Sequence, residues 1–246
     1  MTENIKRLAD IIAGGSVVFF GGAGVSTESG IPDYRSENGL YSAKQDYGRS
    51  PEELLSHTCF EREPELFFKY YRENLLMRGI KPNAAHLSLA ELERRGLLTA
   101  VVTQNVDGLH HAAGSINVYE LHGSRYRPYC VKCGEKYSAD YMMDYPETIP
   151  RCEKCNGIVR PDVVLYEESL NDDVIAGAVN HIRHAATMII GGTSLAVYPA
   201  AGLLRYFKGK NLVLINKTET PYDSEANLVL RESIGEVLAA VMQVLG

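Results

Sequence analysis

The sequence is poor in cysteine, with five in 246 residues, which is too few for a disulfide scaffold. It has no basic excess either. Its 25 Lys and Arg stand against 31 Asp and Glu, for a formal net charge of −6. A nucleic-acid binder is expected to carry a basic footprint, so that class starts without support. Long hydrophobic runs are missing too. The apolar stretches are of strand length, short of the ~18 residues a membrane span needs. No charged-then-apolar leader opens the chain, and no repeat or low-complexity segment interrupts it. A soluble cytoplasmic protein is the expectation. What remains is ordinary globular composition, 45% hydrophobic and 23% charged. The length allows one large domain, or one plus a small one.

Apolar periodicity gives the order of elements. Ile5, Leu8 and Ile12 share one helical face, and Gly14-Gly15 ends that run. Residues 16–20 (SVVFF) form a buried-type strand that runs straight into Gly21-Gly22-Ala23-Gly24. Four further bursts, at 99–103, 118–121, 187–191 and 211–216, alternate with helical patterns at 86–96 and 174–185. The last helix opens on Ser233-x-x-Glu236, which predicts a capping box. This alternation predicts an α/β fold: a Rossmann-like open parallel sheet, covered on both faces. Two stretches break the rhythm. Residues 36–83 show helices only, one capped at Ser50-Pro51 and one starting near Pro64. Residues 125–160 contain four of the cysteines. The expected division is therefore 1–35, 84–124 and 161–246 as the sheet domain, with 36–83 and 125–160 as a smaller inserted domain, part helical and part zinc ribbon.

Cys130-x2-Cys133 and Cys152-x2-Cys155 enclose residues 134–151, within the 15–20-residue window of tetrathiolate zinc sites. Four thiolates close a tetrahedral shell and leave no position for water, so this zinc is read as structural. Cys59, beside Phe60, is read as a buried core thiol. Arg125, Arg127, Lys132 and Lys136 near the ribbon are offset by Asp140, Asp144, Glu147 and Glu153, and read as a solvated face.

Gly22-Ala23-Gly24-Val25-Ser26 is not a complete dinucleotide fingerprint. Thr27 stands where the third glycine belongs, and no acid ends a second strand at the right distance. A simple dehydrogenase is thereby excluded. Glycines after a strand still let backbone N–H groups approach a phosphate. Polar clusters also end the other strands: Gln104-Asn105-Val106-Asp107, His122-Gly123-Ser124, Gly192-Thr193-Ser194 and Asn216. Each alone could be a polar loop. Together they fall where open α/β sheets bind ligands.

These segments, with GIPDYR at 30–35, RPDVV at 160–164 and GGTSLAVYPA at 191–200, resemble the sirtuins, the NAD-dependent protein-lysine deacylases, over about residues 5 to 240. The resemblance implies a cleft between an NAD domain and a zinc-bearing small domain. It assigns Gly22, Ala23, Gly24 and Ser26 to the NAD phosphates and ribose, and Asp33, Tyr34 and Arg35 to a loop ordering over NAD. Gln104 and Asn105 would hold the nicotinamide-side ribose and Asp107 the carboxamide. Gly192, Thr193 and Ser194 would contact phosphate and ribose, and Asn216 the adenosine side. His122 would be the base, and Val163, Val164, Tyr166, Glu167, Phe68 and Tyr71 substrate contacts. The implied partners are acyl-lysine proteins, met by a monomer that binds neither membrane nor nucleic acid.

The implied reaction is not hydride transfer. The acyl oxygen attacks the anomeric carbon, nicotinamide leaves, and His122 takes a proton from a ribose hydroxyl. The products are free lysine, nicotinamide and O-acyl-ADP-ribose. Three segments depart from the family pattern. Tyr34 replaces a phenylalanine. Tyr166-Glu167-Glu168 replaces Phe-Gly-Glu, and its added charge is expected to favour basic flanking residues. Phe68 and Tyr71 replace a Tyr-x-x-Arg pair, so short neutral acyl groups are expected.

Overall fold

The computed structural model describes residues 2–32 and 43–246. Asp33, Tyr34 and Arg35 lie outside the described residues. The strands are β1 (Val17–Gly21), β2 (Leu98–Thr103), β3 (Val118–Glu120), β4 (Gly123–Cys130), β5 (Val159–Val163), β6 (Thr187–Gly191), β7 (Asn211–Ile215) and β8 (Leu228–Leu230). The helices up to the sheet's second strand are α1 (Glu3–Ala13), α2 (Ala43–Tyr47), α3 (Pro51–Leu54), α4 (His57–Arg62), α5 (Pro64–Leu75) and α6 (Ala84–Arg94). Then come α7 (Leu109–Ala112), α8 (Ala139–Asp144), α9 (Asp172–His184) and α10 (Ile234–Leu245).

Six strands form one parallel sheet in the order β3-β2-β1-β6-β7-β8. The chain winds outward from β1 in one direction and then, from β6, in the other. The reversal point between β1 and β6 is where such sheets open a crevice at their carboxyl ends. Successive side chains of β1 go to opposite faces: Val17 and Phe19 join a core with α1, α6 and α10, and Val18 and Phe20 a core with α9. Every residue of β1 and β6 is buried. That explains why these strands read as unbroken apolar runs rather than alternating ones.

The two stretches that break the rhythm share a third core. Phe60, Phe67, Phe68, Tyr70 and Tyr71 of the helical stretch pack with Met142, Cys152 and Val159 of the cysteine-bearing stretch. The α3 capping box forms as expected, with Ser50 Oγ on the Glu53 amide and the Glu53 carboxylate on the Ser50 amide.

One expectation is corrected, and the structure adds strands that the periodicity did not give. After His122, β4 and β5 pair antiparallel. β8, only three residues long, gave no periodic signal. Ser233 makes no side-chain cap on α10. The Gly235 amide donates instead to Glu28 Oε1, at 2.8 Å and across 207 positions. A carboxylate at a helix N-terminus satisfies a free donor and complements the dipole, so it displaces the local box.

Candidate active site

Glycine-bearing loops meet where the sheet reverses direction. The Gly24 amide donates to the Gly192 carbonyl at 2.8 Å. A Cβ on Gly192 would stand 2.4 Å from the Val25 nitrogen, and one on Gly22 would stand 2.8 Å from Thr193 Cβ. Only glycine lets these turns, one after β1 and one after β6, close on each other. Thr193 Oγ1 donates to Gln104 Oε1 at 3.2 Å. The Gln104 Nε2 is buried with no hydrogen-bond partner among the described residues. Such an orphaned donor inside a crevice fits a site built for a polar ligand. Ala23 lies in the turn after Gly22, and Ser194 follows Thr193 in the opposite loop. Asn216, after β7, donates from Nδ2 to the Thr218 carbonyl at 2.9 Å.

Behind the glycine turn lies a closed polar network. Ser26, fully buried, donates to Asp107 Oδ2 at 2.6 Å and accepts from Asn105 Nδ2 at 3.1 Å. The other Asp107 oxygen accepts the Leu109 amide at 2.9 Å. His86 Nε2 lies 3.5 Å from Ser26 Oγ, and His86 Nδ1 closes a box with the Asn83 amide at the start of α6. Burial pushes His86 down to about 4, against the pull of Asp107. His110 packs 4.7 Å from it, ring centre to ring centre. Burial first, and then its histidine neighbours, put His110 well below the ordinary imidazole value. Neither of its ring nitrogens has a hydrogen-bond partner among the described residues. Both rings are therefore neutral at neutral pH.

His122 stands just past β3, half-buried. Its Nδ1 lies 2.8 Å from the Gln104 carbonyl oxygen. A carbonyl can only accept, so Nδ1 carries the proton and Nε2 is left as the basic nitrogen. Burial lowers the pKa of this imidazole, and the Gln104 carbonyl partly opposes that. The ring is thus in its base form at neutral pH.

The backbone of His122 faces another way. Its carbonyl accepts the Val164 amide at 2.9 Å, and Gly123 pairs with Val163 at the end of β5. Gly123 has φ 77° and passes so close to the Asp162 carbonyl that no side chain fits. The strand continues to Tyr166, which exchanges backbone bonds with Leu55 and His57. Glu167 keeps a positive φ of 76°, the conformation that glycine takes freely and other residues adopt at a cost. Its carboxylate does not stand free for a basic partner: it accepts from the Thr58 amide at 2.9 Å and hydroxyl at 2.7 Å. Burial alone would raise the Glu168 pKa. Hydrogen bonds from Arg160, the Leu165 amide and His57 bring it to about 2. Phe68 and Tyr71 are buried in the aromatic core, 0% and 1% exposed.

The four cysteine sulfurs of the ribbon lie within 4.8 Å of one another, with Cys130 and Cys155 3.5 Å apart and Cys133 and Cys152 3.6 Å apart. A tetrahedron with Zn–S near 2.3 Å requires sulfurs about 3.8 Å apart, so the set fits zinc. Cys59 is a core thiol, 3% exposed, as expected. Two of the ribbon cations correct the solvated-face reading. Arg125 is only 3% exposed, and Arg127 bonds to Glu120 and Asp162. The sequence reading also missed His86, His110 and Glu28. For His86 a signal existed, since Asn83-x-x-His86 is a capping pattern, but it spoke only of a helix start.

The chain matches the model of the Sir2 family over residues 22–199 and belongs to that family. An NAD-dependent protein deacetylase of Clostridium acetobutylicum is 57% identical over 98% of this chain and 99% of its own. One of Clostridium perfringens is 57% identical over 98% and 100%. A solved complex described as Sir2, p53 peptide and NAD+ has a TM-score of 0.88 at 36% identity, covering 100% of this chain and 99% of the other. Another holds an inhibitor, 2'-O-acetyl-ADP-ribose and deacetylated p53 peptide, with a TM-score of 0.85 at 37% identity, covering 98% and 99%. Among the described residues no helix is long and apolar enough to cross a membrane.

Proposed function

We propose that the chain removes acetyl and other short neutral acyl groups from protein lysines with NAD, giving nicotinamide and O-acyl-ADP-ribose, and works as a cytoplasmic monomer. The observation that carries this reading is the double attachment of His122. Its carbonyl holds the Val163–Val164 edge, while its ring is fixed through Nδ1 to the loop after β2.

Bound NAD supplies a ribose carbon that nicotinamide can leave and hydroxyls that can lose a proton. Gly22, Ala23, Gly24, Gly192, Thr193 and Ser194 accommodate its phosphates and ribose, Gln104 offers its unpartnered Nε2, and Asn216 serves the adenosine side. Asp107, fixed by Ser26 and the Leu109 amide, orients the carboxamide with Asn105 beside it. Asp33, Tyr34 and Arg35 belong to the loop over NAD. His122 Nε2 takes the ribose proton. Val163, Val164, Tyr166 and Glu167 line the substrate strand. The enclosing loops keep water from the reactive carbon. The four thiolates hold one structural zinc. The division into 1–35, 84–124 and 161–246 against 36–83 and 125–160 is supported by the three cores, apart from Leu165, which packs with the smaller region.

His122→Ala should cut deacetylation by ~10²–10⁴, with NAD affinity within about tenfold, ~1.4 kcal/mol. Calorimetric NAD titration and product analysis by mass spectrometry check this, and near-normal deacetylation removes His122 from the mechanism. Phe68 and Tyr71 carry no charge and are buried in the aromatic core, and the neighbouring Arg72 is turned to the Tyr145 carbonyl. An acetyl-lysine peptide should therefore outperform its succinyl counterpart in kcat/KM, and the reverse order would overturn the neutral-acyl reading.

A further inference from the structure

The antiparallel pair β4–β5 joins the catalytic strand end to the ribbon, and its register is broken. Ser124 pairs with Asp162 and Tyr129 with Arg160, so residues 125–128 stand opposite Pro161 alone. Such a bulge re-aims side chains and commonly lies beside an active site. Here it sends two arginines in different directions. Arg125 goes inward, where its Nη1 donates to the Leu75 carbonyl at the end of α5. Arg127 turns toward the sheet.

Arg127 Nη1 lies 2.6 Å from Glu120 Oε2, and its Nε lies 2.9 Å from Asp162 Oδ2. Glu120 ends β3, two residues before His122, and its side chain is only 5% exposed. Asp162 is the residue before Val163 on β5. His111 Nε2 approaches the same Glu120 oxygen at 4.0 Å. One guanidinium thus spans the strand that delivers the base and the strand that presents the substrate edge. A fork with fixed donor geometry can hold two carboxylates in a set relation; a flexible point charge cannot.

We propose that Arg127 is a positioning residue for the acyl-lysine substrate: by bridging Glu120 and Asp162 it keeps the Val163–Val164 edge in register with His122. This rests on the reading of that edge as the peptide site. The bridge touches neither the glycine turns nor the polar network around Ser26, so it acts on the peptide and not on NAD. Arg127 is half exposed and lies outside the packed cores, but its loss leaves the largely buried Glu120 with His111 as its nearest cation, so thermal stability is measured beside the kinetics.

The experiment measures steady-state KM for an acetyl-lysine peptide and for NAD separately, on zinc-loaded full-length protein. Arg127→Ala should raise peptide KM by about tenfold, with kcat and NAD KM within about twofold. Arg127→Lys, which keeps the charge but loses the fork, should fall between. Asp162→Asn should add little to Arg127→Ala, because both break one bridge. Val164→Asp alters the edge itself and serves as the control. If Val164→Asp raises peptide KM and Arg127→Ala does not, the positioning role is overturned and the edge reading stands. If neither moves it, both fall. A merely structural role would lower thermal stability or the active fraction while leaving peptide KM unchanged, or would raise both KM values alike, and either result overturns the proposal.

Discussion

The sheet region and the ribbon region are held together by different means. The sheet lies between two apolar cores, with its central strands β1 and β6 wholly buried. The smaller region has one aromatic core, short helices, a two-stranded sheet and four converging thiols. A small core supplies little stability alone, and a metal makes up the difference. The contrast teaches where each half is vulnerable: the ribbon to loss of zinc, the sheet to charging of its buried imidazoles.

The largest expected effect follows from that contrast. A structural zinc contributes on the order of 10 kcal/mol in small zinc peptides. Cys152→Ala should therefore lower the zinc-to-protein ratio and the thermal midpoint, with proteolysis cutting first within 125–160 while the sheet resists. Zinc analysis and timed proteolysis check this. A fully folded native protein without zinc would break the comparison.

A smaller effect concerns acid. An unfolded chain protonates its histidines near ~6.5, whereas folded His86 holds out to about 4. The unfolded state then binds more protons between those values, so stability is unaffected above about pH 6.5 and falls steadily toward pH 4. His110, lowered further by burial, acts in the same sense. Urea midpoints at pH 7 and pH 5, with zinc retention verified, should show the loss, and His110→Leu should reduce it. An unchanged pH dependence in that variant would remove His110 as a source, and an unchanged dependence in His86→Leu as well would place the acid sensitivity outside this pair.

Much of this was legible in the sequence because its causes are local. A strand such as TMIIG is buried on both faces and so reads as an apolar run, and the crevice residues sit directly after such runs. The thiolate spacing fixes its own chemistry. What escaped depends on distance. Ser233-x-x-Glu236 has the pattern of a capping box, but the donor at Gly235 is taken by Glu28 from the far end of the chain. Arg125 and Arg127 look like solvated charge until a broken register turns one under α5 and the other onto Glu120. The resemblance supplied the roles at 33–35, which lie outside the described residues.

The bond between Glu28 and Gly235 also alters what the C-terminal helix is. Glu28 sits two residues before Gly30, in the short turn leading toward residues 33–35, and its carboxylate is the acceptor that starts α10. That one bond ties the turn after β1 to the last helix, against which α1 and α6 pack. The start of the last helix is therefore built from the loop that follows the first strand, and solvent exchange at the Gly235 amide reports whether that bond is made.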